Sequence, residues 1–183
     1  FRRVLFRSIK VYEGTQEHLI HHLGVRDADM LLTYEEELPD WWTHSVLVAE
    51  LEPYALLPAL HPLADKDAVS LAELAPEPLV LLDAAPSRNY VTSLFTNAGL
   101  SPTIAYRSPS FELVRSMVGN GLGYTLLGTR PASPITLDGR LTVARPLVDD
   151  CLTSKVVLTT DTSRDISDEA RAVHDYIAAQ LSL

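Results

Sequence analysis

Residues 107–131 read RSPSFELVRSMVGNGLGYTLLGTRP, and the fold follows from how this stretch divides. Ser108 and Ser110 are good N-cap residues, and Pro109 suits the first position of a helix. Phe111, Val114 and Val118 then recur at helical spacing, with Leu113 and Met117 widening the apolar stripe. Asn120-Gly121 is a plausible stop, since either residue takes the left-handed turn that ends a helix. Gly123-Tyr124-Thr125-Leu126-Leu127 has the short apolar run of a buried strand. The unit is loop, helix, turn and strand, with hydroxyls and free backbone N–H groups at the helix start. Those donors and the helix dipole suit a carboxylate or phosphate. Ser and Pro also begin very many helices that bind nothing.

Upstream, Ile9–Tyr12 reads as a strand, Thr15 caps a helix running to Leu23, and Gly24 closes it. Met30–Thr33 is the next buried strand, followed by Val46–Val48 and Tyr54–Leu57. Ser70 and Glu73 form a capping-box pattern. Leu79–Leu82 is a strand, Tyr90–Ala98 a helix closed by Gly99, and Ile104–Tyr106 a strand. Downstream, Val156–Thr160 reads as a strand and Ser167–Leu181 as a helix with Ala170, Val173, Ile177 and Leu181 on one face. Strands that are continuously apolar and alternate with helices predict an α/β fold with a parallel sheet. Glu35-Glu36-Glu37 reads as a solvated face, and Trp41-Trp42 as an aromatic plug over the sheet or a binding surface.

The composition removes several classes of function. Hydrophobic content of 46% with 21% charged residues is ordinary for a soluble globular chain of 183 residues. No apolar run approaches the roughly 18–20 residues that span a bilayer, and Phe1–Ser8 is too short and basic for a secretory signal. The single cysteine, Cys151, excludes an internal disulfide and fits a reducing compartment. Fifteen Lys and Arg against 24 Asp and Glu give a net charge of −9, with the basic residues scattered. A nucleic-acid surface needs them clustered to displace counterions from phosphates. This segment is not expected to touch DNA.

Ser110-Phe111-Glu112, Val114-Arg115, Gly121, Gly123-Tyr124, Leu126-Leu127 and Arg130-Pro131 together resemble the second half of the effector-binding domain of LysR-type transcriptional regulators. The resemblance extends from about Val11 to Tyr176. It includes Glu13-Gly14-Thr15, Asp29–Tyr34, Pro53–Pro58, His61–Ala64, Val69–Leu74, Leu79–Asp83, Ser87-Arg88 with Tyr90, and Ala98-Gly99-Leu100 with Pro102. Each motif is weak alone; their order and spacing are specific. Phe1–Ser8 does not match and reads as a foreign leader or a truncated reading.

The resemblance implies a two-lobed fold similar to type 2 periplasmic binding proteins, the second lobe inserted into the first. Residues 9–57 and 147–183 would form the first subdomain and 58–146 the second, with crossings near Pro58–Pro62 and Leu141–Pro146. It also implies that the family's first strand and helix, linker helix and winged helix-turn-helix lie outside this chain. A small-molecule effector held between the lobes would shift the arrangement of a cytoplasmic homodimer or homotetramer. DNA contact would run only through the absent N-terminal domain. The chain would be no enzyme and would need no cofactor. The alternative of the same fold is a transport-type solute-binding protein.

In open α/β sheets, ligands collect outside the carboxyl ends of strands, where loops enter helices. Three such corners are Gly14-Thr15, Ser87-Arg88 and Ser108–Phe111. By resemblance, Thr15, Ser87, Arg88, Ser110, Phe111 and Tyr124 are the expected effector-binding residues. The hydroxyls and Arg88 favour a small carboxylate, while Phe111 and Tyr124 tolerate an aromatic ring. Arg88 reads equally as an ordinary surface arginine.

Other chemistries are poorly supported. His18, His21 and His22 have a spacing that places imidazoles on one helix face, but no cysteine or carboxylate is evidently arranged to complete a zinc shell, so no metal is expected. Gly119–Gly123 precedes a strand, whereas a phosphate-cradling loop follows one. There is no Gly-x-Ser-x-Gly elbow, and no histidine is near Cys151 in sequence, so no catalytic residue is assigned.

Overall fold

The structure, a computed structural model, describes residues 8–39, 45–161, 163 and 165–181. Trp41-Trp42 lie outside these residues. The chain divides into two compact units, residues 1–51 with 154–183 and residues 52–153. The second is therefore an insertion in the first. The boundaries fall at Leu51/Glu52 and Thr153/Ser154, rather than near residues 57 and 147. The reason is pairing: the strands next to the expected crossings bond with strands of the inserted unit.

In the first unit, α1 (Gln16–Gly24) starts at Thr15, whose Oγ1 accepts from the His18 N–H at 3.4 Å. The Gln16 side chain is buried and joins the helix to its surroundings. Its Nε2 donates to the Glu36 carbonyl at 2.6 Å, and its Oε1 accepts from the Thr33 hydroxyl at 2.8 Å. Strands β1 (Leu31–Tyr34) and β2 (Ser45–Leu51) flank the C-terminal strand β8 (Ser154–Thr159), and both pairings are antiparallel. Helix α5 (Asp168–Leu181) buries Ala170, half-buries Val173 and Ile177, and leaves Leu181 exposed, so its apolar face fades toward its end. Leu23 and Leu31 form a small core with Leu19, Ile20, Ala28 and Leu38 around it.

Two expectations fail in this unit. The sheet is antiparallel, because β8 returns from the inserted unit and takes the central place. Ile9–Tyr12 is not a strand: no ladder partner meets it, and Ile9 and Val11 are exposed. An apolar pattern alone does not satisfy backbone N–H and C=O groups; a neighbouring strand must.

In the inserted unit, β3 (Tyr54–Pro58) lies between β6 (Thr125–Leu127) and β7 (Thr142–Pro146), antiparallel to both. Strands β4 (Pro78–Leu82) and β5 (Thr103–Ser108) form a parallel pair, which is where the expected parallel arrangement is found. The two sheets meet at Tyr124, whose N–H donates to the Pro78 carbonyl at 2.9 Å while its own carbonyl accepts from Val80 N–H at 2.8 Å. Gly123 makes this junction possible. Its φ is +149°, and a Cβ there would lie 2.1 Å from the Pro78 oxygen.

Helices α2 (Leu71–Leu74), α3 (Ser87–Asn97) and α4 (Phe111–Gly119) cover the sheets. The capping box at α2 forms as expected, with Ser70 and Glu73 each satisfying the other's backbone N–H. Phe95, Leu74, Leu79, Tyr124 and Leu126 centre one apolar cluster; Tyr54, Val80, Val114 and Val118 centre a second. Full burial of a side chain such as Phe95 contributes about 1.5–3 kcal/mol. Leu79 and Leu81 of β4 belong to the first cluster and Val80 to the second, so β4 is packed on both faces.

Candidate functional site

The parallel register pairs Leu82 with Ser108, so β4 and β5 end side by side and both chains turn into helices. Asp83 N–H donates to the Ser108 carbonyl at 2.8 Å, closing the edge. From this edge α4 starts one residue after Ser110 and α3 starts at Ser87. The expected residues Ser87, Arg88, Ser110 and Phe111 therefore belong to a single corner of the inserted unit. Thr15 belongs to the first unit, where it caps α1.

At the start of α4, Ser110 is the N-cap, its Oγ accepting from Leu113 N–H at a long 3.4 Å. Ser110 N–H in turn donates to Ser108 Oγ at 3.1 Å, and Ser108 is buried. Ser108 thus fixes the turn while Ser110 presents an exposed and weakly engaged hydroxyl. Phe111 packs partly against the cluster around Val80 and Val114. The start of α3 differs: Pro86 is at its N-cap position and supplies no side-chain acceptor. The backbone does the capping here: Arg88 N–H donates to the Ala84 carbonyl at 2.9 Å and Tyr90 N–H to the Pro86 carbonyl at 3.0 Å.

Two charges were missed by sequence reasoning. Arg88 Nη1 donates to Asp83 Oδ1 at 3.0 Å, and Arg107 Nη1 lies 3.9 Å from Asp83 Oδ2. Arg88 already holds a carboxylate from its own chain. Two guanidinium groups share one carboxylate here, so the corner keeps a net positive charge within a chain of net charge −9. The signal was present as Asp83 and Arg107 at the ends of adjacent strands, but only the pairing of β4 with β5 brings them together. Glu112, in the first turn of α4, does not offset this charge. Arg115 Nη1 engages it at 2.7 and 2.9 Å, and Arg115 Nη2 also donates to the Ser133 carbonyl at 2.7 Å.

Tyr124 does not reach the corner. It is fully buried in the core, its hydroxyl has no partner among the described residues, and burial pushes its pKa well above the usual tyrosine value, with the Glu77 charge adding to the effect. A side chain so enclosed offers no face to a ligand, and this corrects the expectation from resemblance. The glycines at 119–123 act as turn residues, with Gly121 at φ +79°. The Cys151 thiol is held toward its protonated form by burial and by the charges of Asp149 and Asp150, the reverse of an activated nucleophile. Among the described residues no three His, Cys, Asp or Glu side chains converge as a metal cluster, and no helix is long and apolar enough to cross a membrane.

The chain is thus a two-unit α/β protein with the second unit inserted and a cationic corner at paired strand ends. The LysR substrate binding domain matches residues 7–182, and the chain belongs to that family. Its fold is accordingly of the type 2 periplasmic-binding-protein kind. The C-terminal domain of a probable LysR family regulator from Rhodococcus sp. RHA1 superimposes with a TM-score of 0.89 at 37% identity, over 93% of this chain and 83% of that one. HinK, a LysR family transcriptional regulator from Pseudomonas aeruginosa, gives 0.87 at 38% identity, over 93% and 60%. The effector binding domain of QuiR in complex with shikimate shares the fold, with a TM-score of 0.79 at 18% identity over 92% and 78%. Among curated proteins, the transcriptional dual regulator GltC of Bacillus subtilis is 25% identical over 168 residues, 90% of this chain and 55% of that protein. The chain spans about a quarter to a half of the length of the curated relatives it matches.

Proposed function

We propose that this chain is the sensing part of a LysR-type transcriptional regulator, and that it binds a small carboxylate or phosphate at the corner formed by Ser87, Arg88, Arg107 and Ser110. The observation that carries this reading is the sharing of one carboxylate, Asp83, between two arginines beside two helix starts. An incoming anion gains a charge-assisted hydrogen bond from an arginine and a donor from the Ser110 hydroxyl at the start of α4. Phe111 supplies an apolar edge for a ring. Thr15 is a further contact by resemblance.

Binding acts by population shift: the ligand favours one arrangement of the regulator in proportion to its differential affinity for it. The regulator is a homo-oligomer in the cytoplasm and contacts its operator through a separate DNA-binding domain. The relatives' names, all of regulators, favour this over a transport-type solute carrier. They equally favour a chain that performs no catalysis.

The test is calorimetric titration with shikimate, the ligand of QuiR, and with inorganic phosphate. Wild type should bind at least one of them saturably, and Ser110→Ala should weaken that binding about 10- to 150-fold, the range of one hydrogen bond to a charged group. Unchanged affinity in Ser110→Ala would remove Ser110 from the site.

A further inference from the structure

The cationic corner contains a carboxylate of its own. Asp83 follows directly on β4, and its N–H donates to the Ser108 carbonyl at 2.8 Å, which ties its backbone to the end of β5. The register pairs Leu81 with Arg107 and Leu82 with Ser108, so Arg107 arrives beside it. Asp83 Oδ1 accepts from Arg88 Nη1 at 3.0 Å, and Oδ2 lies 3.9 Å from Arg107 Nη1. The Asp83, Arg88 and Arg107 side chains are 28%, 43% and 51% exposed, so both guanidinium groups stay reachable from solvent with Asp83 in place. Among the described residues, neither guanidinium has a second carboxylate within ion-pair distance.

Two positive charges and one negative charge leave a single positive charge to be matched. A monoanion matches it; a dianion leaves an excess negative charge beside Asp83. Glu112, in the first turn of α4, is engaged by Arg115 at 2.7 and 2.9 Å, so that pair adds no net charge. Coulomb energy scales with the charge of the ligand, so Asp83 repels a dianion with twice the energy that it exerts on a monoanion. Like charges set against each other are one way a site rejects the wrong partner. Asp83 also orients Arg88, a role that the carbonyl of an asparagine could share. The two roles differ in what they act on: orientation serves every anion alike, whereas repulsion grows with charge.

We propose that Asp83 sets the charge of the ligand at this corner, admitting a monocarboxylate and disfavouring dianions such as sulfate or a phosphate monoester. The assignment rests on the anion corner proposed above and narrows its ligand from carboxylate or phosphate to monocarboxylate. An anion on the open side of a guanidinium lies about 6 Å from Asp83, and at a dielectric near that of water each unit of its charge loses about threefold in affinity. The exposure of all three side chains supports that dielectric. A monoanion therefore loses about threefold to Asp83 and a dianion about tenfold, a selectivity of about threefold from one residue. Added salt screens the difference.

The experiment is titration of the 15N-labelled whole chain, at low ionic strength and neutral pH, with shikimate as the monocarboxylate and with sodium sulfate as the dianion. The amides of Ser87, Arg88, Ser110 and Phe111 report binding. Asp83→Asn should strengthen sulfate about tenfold and shikimate about threefold, raising the sulfate-to-shikimate affinity ratio about threefold. Asp83→Glu, which keeps the charge, should leave the ratio near that of wild type. Circular dichroism establishes that each variant is folded, and Asp83→Ser serves as a second neutral variant should Asp83→Asn unfold. A ratio unchanged in the neutral variants, sulfate bound by none of them, or wild type binding sulfate but not shikimate would overturn the assignment while leaving an anion corner in place. Amides that neither anion moves, in wild type and variants alike, would instead remove the corner itself, and the assignment with it.

Discussion

Residues 52–153 bury two apolar clusters, with Phe95, Leu79, Tyr54 and Val80 at their centres. Among the described residues of the first unit, Leu23 and Leu31 centre a small cluster, and Ile9 is 66% and Val11 75% exposed. Beside β1 the first unit also has an open groove of about 760 Å3, lined by Ile9, Val11, Leu32, Leu158 and Val173 among others. The sequences of the two units are similarly apolar along their strands. What separates them is partnership: every strand of the inserted unit meets a neighbour, while Ile9–Tyr12 meets none among the described residues. The proposed anion corner lies in the inserted unit, where the paired β4 and β5 hold Ser87, Arg88, Arg107 and Ser110 in fixed register.

If this contrast is sound, substitutions of equal kind should act unequally in the two units. The largest effect is expected at Gly123. Gly123→Ala places a Cβ against the Pro78 carbonyl and should destabilise the chain by about 5 kcal/mol or more in urea unfolding, since the backbone at the junction cannot yield. Next, Phe95→Ala should cost about 3–5 kcal/mol through cavity formation. Val11→Ala, in the first unit, should cost less than about 0.5 kcal/mol. Equal losses for Phe95→Ala and Val11→Ala would break the contrast.

How much of this was legible in the sequence depends on how local each feature is. The capping box at Ser70 and Glu73, the N-cap roles of Thr15 and Ser110, and the stop at Asn120-Gly121 all rest on neighbours within a few residues. They were readable. The start of α3 at Ser87 was less so, because Pro86 gives no side-chain cap to mark it. The central position of β8, the partnerless state of Ile9–Tyr12 and the unit boundaries are set by which distant strands pair. Periodicity carries no such information. The site divides in the same way. Ser110 was visible as a cap, whereas the claim of Asp83 on Arg88 and the burial of Tyr124 required the fold.

Two smaller effects sharpen the picture of the inserted unit. The Glu73 carboxyl is held at about 2, first by the hydrogen bond from the Lys66 ammonium and then by the Ser70 backbone and hydroxyl. Its folded pKa is below its ordinary value of 4.5, so the stability it contributes is present above that pH and is lost as pH falls toward 2. Glu73→Gln should flatten the acid limb of a stability–pH profile between those values and leave the neutral limb in shape. Tyr124→Phe should be neutral or stabilising by up to about 1 kcal/mol, because the hydroxyl removed is buried without a partner. A loss above 1 kcal/mol would show that the hydroxyl is satisfied in solution.

The central claim is that an anion binds where β4 and β5 run into α3 and α4. Two-dimensional 1H–15N NMR of the labelled chain, titrated with shikimate and separately with inorganic phosphate, tests it most directly. The account predicts that the amides of Ser87, Arg88, Ser110 and Phe111 move first and saturate together with at least one ligand. Amides that shift only elsewhere, or none that shift with either ligand at millimolar concentration, would contradict it.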